Sequence, residues 1–296
     1  MSGPGAMSKS KQPDLPADGV VVKPRKPIPL VIGAAFVSFA STLLGIGGGA
    51  LVVPLLATWG GMRLKRSVAT SLALIAVVVT VGLVVQVIHE PGDILWAQGG
   101  LIVVGAFLGA PIGRWLLKII PRAVFRYVLS VFLVLVAVRM IGLMPHATHL
   151  LGDAPDMSLA STWVFALVTG FVAGMSSTLF GIGGGIVIVP ALTFAYTSLA
   201  DNFAVARATS LAAIVPISIW GTFLHARKGN VEFKVIPILL PLSLVFAVGG
   251  VIAAYQLKAE YLKIVFAVLL GVMSIKLVLE ARAIRKEEKA KREVQV

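Results

Sequence analysis

Two stretches of this sequence carry residue types suited to holding a small anion on the main chain. Ser41-Thr42-Leu43-Leu44-Gly45-Ile46-Gly47-Gly48-Gly49 and Ser177-Thr178-Leu179-Phe180-Gly181-Ile182-Gly183-Gly184-Gly185 each place a glycine-rich run behind a Ser-Thr pair. Each glycine costs a helix roughly 1 kcal/mol relative to alanine, so both runs predict a break in helical backbone. The first N–H groups of the helix after such a break are unpaired, and its dipole leaves partial positive charge there. Glycine also lets a ligand approach the main chain closely. Two breaks brought together would make a compact anion site. Ser41, Thr42, Ser177 and Thr178 could add hydroxyl donors just before the breaks, and Thr70, Ser71, Thr209 and Ser210 could do so from the following helices. The same glycines would also permit close helix packing, and the same hydroxyls would serve as interhelical hydrogen bonds, so both roles stand. A dinucleotide loop is excluded, because no strand precedes either run.

The charged residues narrow the chemistry. All 13 Asp and Glu fall in tails, loops or span ends, which disfavours a cation carrier or a relay of buried carboxylates. Arg207, two residues before Thr209, is read either as the counter-charge of an anion or as an arginine snorkelling to the membrane edge. Arg139 and Lys276, near span ends, read as snorkelling too. His89 and His225 are interface histidines or groups that titrate near neutral pH. With no Cys, no HExxH pair and no nucleophile beside a mid-span base, the sequence offers no catalytic residues and no metal site, and calls for no cofactor.

The elements that position these residues follow from composition. Of 296 residues, 58% are hydrophobic and 13% charged, against about 45–50% and about 25% in soluble chains. With a mean hydropathy of +0.96, so much apolar side chain needs a lipid solvent. Apolar stretches run at 28–60, 67–88, 95–117, 123–144, 160–197, 205–225, 234–256 and 262–281. Most suit one crossing of a core about 30 Å thick. The stretches 28–60 and 160–197 are too long for one helix and contain the glycine breaks, so each reads as two short helices forming a hairpin. That reading sorts the loops by charge. The basic segments 61–66, 118–122 and 226–233 and both termini fall on the cytoplasmic side, while acidic 89–94 and 145–159, with 198–204, fall outside. The net charge of +13 is therefore membrane anchoring rather than a nucleic-acid surface. Residues 1–27 read as a disordered basic tail with no cleavable signal, and 282–296 as a second basic tail without heptads, disordered or lying on the membrane surface.

The chain is also a duplication. The glycine motifs, through Val53-Pro54 and Val189-Pro190, match at an offset of 136, and Ala69-Thr70-Ser71-Leu72-Ala73 matches Ala208-Thr209-Ser210-Leu211-Ala212 at 139. His89 and His225, Gly92 and Gly229, and Arg139 and Lys276 are weaker echoes. The expected fold is an all-α polytopic membrane protein. Each half, 28–144 and 160–281, is a glycine-broken hairpin plus three transmembrane helices, joined by an external linker at 145–159. Three crossings per half invert the second half relative to the first, an inverted-topology repeat of the kind found in secondary transporters.

This doubled motif, STLLGIGGG and STLFGIGGG each followed by ATSLA, resembles the sulfite exporter TauE/SafE family of membrane permeases. The resemblance covers about 28–281. It implies an inner-membrane carrier of sulfite, sulfonates or related organosulfur anions that works without ATP hydrolysis. By motif it implies a substrate path at Gly45 to Gly49, Gly181 to Gly185, Thr70, Ser71, Thr209 and Ser210. One departure lies within the repeat: Arg207 aligns with Val68, and Arg66 with Val205, so any basic contribution is asymmetric. The expectation is a permease exchanging a small sulfur-containing anion across the cytoplasmic membrane by alternating access. An interior-negative potential favours anion exit by about 2.3 kcal/mol per charge per 100 mV, hence export. A carboxylate carrier and an anion channel are the alternatives. The partners are the small anion and the lipid bilayer, with no nucleic acid, and oligomeric state is left open.

Overall fold

In the computed structural model, residues 27–116 and 151–293 are described, together with Val124, Tyr127, Ser130, Val131, Leu133 to Leu135, Ala137 and Val138. Arg139, the loop 118–122, most of the tail 1–27 and the linker up to residue 150 lie outside the described residues. Among those described, regular structure is entirely helical. Helices α1 (Pro27–Leu44) and α2 (Gly49–Thr58) flank the first glycine break and precede α3 (Leu64–His89) and α4 (Trp96–Leu116). Helices α5 (Ala160–Phe180) and α6 (Gly185–Ala195) flank the second. They are followed by α7 (Thr197–Asp201), α8 (Phe203–Ala226), α9 (Ile236–Gln256) and α10 (Ala259–Glu293). Six described helices are long and apolar enough to cross a membrane: α1, α3, α5, α8, α9 and α10. The protein is a multi-pass helical membrane protein.

Helices α2 and α6 are each about 15 Å long at 1.5 Å per residue, half of a hydrocarbon core, and each packs against the helix before it. Pro54 and Pro190 sit inside them and remove one more ladder hydrogen bond from each.

Packing between the two sequence halves is reciprocal. Helix α1 packs along α9, its counterpart α5 packs along α4, and α3 packs on α8. Small residues make the close approach possible: a Cβ on Gly105 or Gly109 would collide with the carbonyls of Leu167 or Phe171, and one on Gly170 or Gly174 with those of Ile102 or Ala106. Helix-helix association in lipid lacks a hydrophobic drive, so such backbone approach supplies it. The segments grouped by charge also meet. Arg66 pairs with Glu232 at 3.3 Å, joining 61–66 to 226–233. The linker joins the α6–α7 connection through Ser198 N to Asp153 O at 2.8 Å and Leu151 N to Ala195 O at 3.2 Å.

One expectation is corrected in part. Of the two readings of 282–296, disordered or lying on the membrane surface, the first does not hold, because helical backbone continues without interruption from the last span to Glu293. Its run of Ala, Arg, Lys and Glu consists of strong helix formers, and a helix already nucleated by the span extends through them at little cost.

Glycine contacts make a stability test. Gly170→Ala should lower thermal stability in detergent by about 1–3 kcal/mol, the usual cost of overpacking. Gly271→Ala in α10, where a Cβ meets nothing within 4 Å, should raise it by about 0.5–1 kcal/mol.

Candidate functional site

The two glycine breaks meet. Gly45, Gly47 and Gly48 have φ of 70°, 77° and 66°, and Gly181, Gly183 and Gly184 have 69°, 79° and 92°. This left-handed region is open to glycine and strained for other residues. Gly49 and Gly185 are glycine for a different reason. A Cβ on Gly49 would overlap the carbonyl of Gly181, and one on Gly185 would overlap that of Gly45. The segments therefore cross antiparallel, main chain on main chain. Ile46 and Ile182, the side chains within the two runs, are anchored in the core. Ile75 and Ile214 wall the crossing, each within 3.4 Å of where a glycine Cβ would stand.

The Ser and Thr residues expected here are all present, and most of their hydroxyls are engaged. Ser71 Oγ donates to Gly181 O at 3.2 Å and Ser210 Oγ to Gly45 O at 2.8 Å. Thr209 Oγ1 accepts from Leu95 N, and Thr70 Oγ1 from Glu232 N, both at 3.0 Å. Thr42 Oγ1 donates across to Ala247 O at 2.8 Å, and Thr178 Oγ1 to Ala110 O at 3.3 Å. Every one of these bonds joins one half to the other, and each has its counterpart. Ser41 and Ser177 differ. Both are buried, and neither hydroxyl has a hydrogen-bond partner. Ser41 sits where α2 begins, at Gly48, and neither α2 nor α6 has a side-chain cap. A Cβ on Gly48 would stand 3.1 Å from Ser41 Oγ, which places that hydroxyl against the start of α2. Beside it lies a small, partly open cavity of about 10 Å³ lined by Ser38, Ser41, Gly47, Gly48 and Ile75 among others, room for a water molecule.

Arg207 corrects the snorkelling reading. It is 1% exposed, with its Cγ beside Gly45. Nη1 donates to Thr42 O at 3.2 Å, Nη2 donates to Gln86 Oε1, and Cζ lies 5.5 Å from the ring centroid of Tyr255. Thr42 O and Thr178 O are the equivalent carbonyls left open by the breaks. The second is met by His225 Nε2 at 3.2 Å, so an arginine stands at one break and an imidazole at the other. His89, exposed at the end of α3, stacks on Tyr255 at 5.6 Å. Gln86 and Tyr255 are missed by the sequence reading. The available signal for Gln86 is its place as the one amide in the apolar run 67–88; Tyr255 carries none.

A profile of the sulfite exporter TauE/SafE family matches residues 5–140 and 166–296. The chain belongs to this family. Relatives bear the name "probable membrane transporter protein". One from Methanocaldococcus jannaschii is 26% identical over 84% of this chain and 94% of its own. One from Xylella fastidiosa is 29% identical over 73% and 77%. YunE of Bacillus subtilis, so named too, is 25% identical over 72% and 82%. No solved structure matches. This TauE/SafE chain is thus a membrane transporter rather than an enzyme, and its crossing is main chain and hydroxyl without an acidic residue.

Asp93 lies in the short 3-10 turn Pro91–Asp93 between α3 and α4. Burial, then the Glu90 charge, push its carboxyl above 3.8, while Arg207 and a hydrogen bond from Gln86 pull the other way. A raised folded pKa means that the native state holds its proton to higher pH than the unfolded chain. Stability therefore falls as pH rises from about 3.8 through the raised value. Asp93→Asn should flatten melting temperature against pH across that window and be the more stable form above it.

Proposed function

We propose that this protein is a secondary carrier of a small sulfur-containing oxyanion, sulfite or an organosulfonate, and that it works in export. The observation that carries the reading is the pair of antiparallel breaks, each opening an uncapped helix N-terminus, together with Ser41 and Ser177 in the turns before them, buried and with hydroxyls without a partner. Leaving such a hydroxyl unpaired costs about 1–3 kcal/mol, which an anion accepting from it would recover. The adjacent guanidinium sets the sign of the charge. The chain shows no ATP-binding loop, and an interior-negative potential alone drives an anion outward.

The reciprocal bonds between halves, at offsets of 136 to 139, support an inverted-topology repeat of two transmembrane units, 28–144 and 160–281, with 145–159 as the external linker. The charge sorting of the loops supports cytoplasmic termini in the inner membrane. Transport is alternating access: the halves rock apart at the crossing, first toward one face and then toward the other, and the hydroxyls of Thr70, Ser71, Thr209 and Ser210 exchange partners or turn to substrate.

Uptake of labelled sulfite into proteoliposomes tests the reading. Saturable flux with counterflow, inhibited by sulfonates and driven by an imposed potential, is expected. Flux linear in sulfite without counterflow would establish a channel, and inhibition by carboxylates alone would reassign the substrate. Ser41→Ala and Ser177→Ala should each raise the half-saturation concentration about three- to tenfold with no loss of melting temperature, because neither hydroxyl has an internal bond to lose. Unaltered kinetics in both variants would remove these serines from the path.

A further inference from the structure

We propose that Arg207, Gln86 and Tyr255 form a one-sided oxyanion fork at the first glycine break, in which the Gln86 amide oxygen holds the place of a substrate oxygen. The proposal rests on the anion-carrier reading above and says where the charge is recognised. The ligand class is a small anion with two oxygens on one centre, such as a sulfonate or hydrogensulfite.

The guanidinium itself makes the case. It is buried, and its hydrogen bonds go to the neutral oxygens of Thr42 and Gln86 rather than to a carboxylate. Asp93 acts on it through space without a hydrogen bond between them. Nε and Nη2 form the side edge of an arginine, the edge that takes two oxygens of an oxyanion in parallel. Here Nη2 holds Gln86 Oε1, and Nε has no partner. The Tyr255 hydroxyl lies beside the guanidinium in loose polar contact with it, without a hydrogen bond of good geometry. Two buried donors without acceptors, beside a third satisfied by a neutral amide, describe a fork filled at one tine.

Exchange of Gln86 for an anion oxygen would satisfy Nε and Nη2 together and leave Nη1 on Thr42 O. The anion would then be tied through Arg207 to the last turn of α1, while the α3–α8 link through Gln86 is released. Tyr255 brings in α9. Substrate arrival is thereby converted into a change of contacts between four helices at the crossing. The second half has no such guanidinium: Val68 stands at the position equivalent to Arg207. Main-chain donors are shared by both halves, whereas the charge belongs to one.

The experiment titrates the purified full-length protein with methanesulfonate, sulfite and chloride, reading affinity by calorimetry and melting temperature in parallel. Wild type should bind methanesulfonate and sulfite in preference to chloride, which offers no second oxygen. Gln86→Glu supplies a carboxylate that fills the fork; affinity for methanesulfonate should fall at least about tenfold with melting temperature kept or raised. Tyr255→Phe removes only a hydroxyl in loose contact with the guanidinium; affinity should fall about three- to tenfold with melting temperature little changed. Tyr255→Phe decides alone if Gln86→Glu fails to fold. Wild-type affinity in the folded variants would show Arg207 to be a cap for Thr42 O and overturn the fork alone. Failure of wild type to bind either oxyanion would overturn the carrier reading and the fork with it.

Discussion

The contact of Gly49 with the Gly181 carbonyl, and of Gly185 with the Gly45 carbonyl, constrains the rest of the molecule. Two irregular main-chain segments at membrane depth are tolerable only if protein covers them and their polar groups are met. They are covered because the first helix of each half lies on a long helix of the other, α1 on α9 and α5 on α4. Meeting their carbonyls requires donors from outside the hairpin, which Ser71 and Ser210 provide across the boundary between halves. The duplication is therefore interlocked at its centre, since neither break can be completed by its own half.

That interlocking is symmetric in its main chain and asymmetric in its charge. The carbonyl of Thr42 takes a guanidinium and that of Thr178 an imidazole, though the two occupy equivalent turns. A buried arginine is expensive in a membrane and is retained where a pathway or ligand uses it. Its position at one break makes the two halves of the crossing chemically unequal. The hydroxyls divide similarly. Thr70 and Thr209 hold the connections at Glu232 and Leu95, while Ser41 and Ser177 are held in reserve, buried without partners.

The helical architecture is legible in the sequence because its causes are local and large. Span length follows from bilayer thickness, and the cost of clustered glycine fixes both breaks. The repeat offsets also relate the reciprocal bonds, Thr42 with Thr178 and Ser71 with Ser210. What the sequence hides is burial at span ends. Arg207 lies five positions into α8 by number, so snorkelling reads naturally, yet α1, α3 and α9 close over it and their arrangement is set by packing far away in the chain. Nor does residue type reveal whether a hydroxyl is already engaged: Ser41 and Thr42 are neighbours, and only the second is bonded. The continuation of α10 to Glu293 is a different case, since its helix-forming residues are visible but polarity suggests a tail.

The absence of cysteine allows the central claim, that an anion binds where the breaks cross and that the crossing opens to both faces, to be tested directly. Ser41→Cys and Ser177→Cys, each alone in sealed vesicles of known orientation, would be exposed to a membrane-impermeant cationic thiol reagent. The measurement is the rate of modification from each side with increasing methanesulfonate. Both positions should react from both faces, and methanesulfonate should slow both over the same concentration range. Positions that remain unreactive, or that react at a rate indifferent to methanesulfonate, would contradict the central claim and leave the glycine crossing as packing alone.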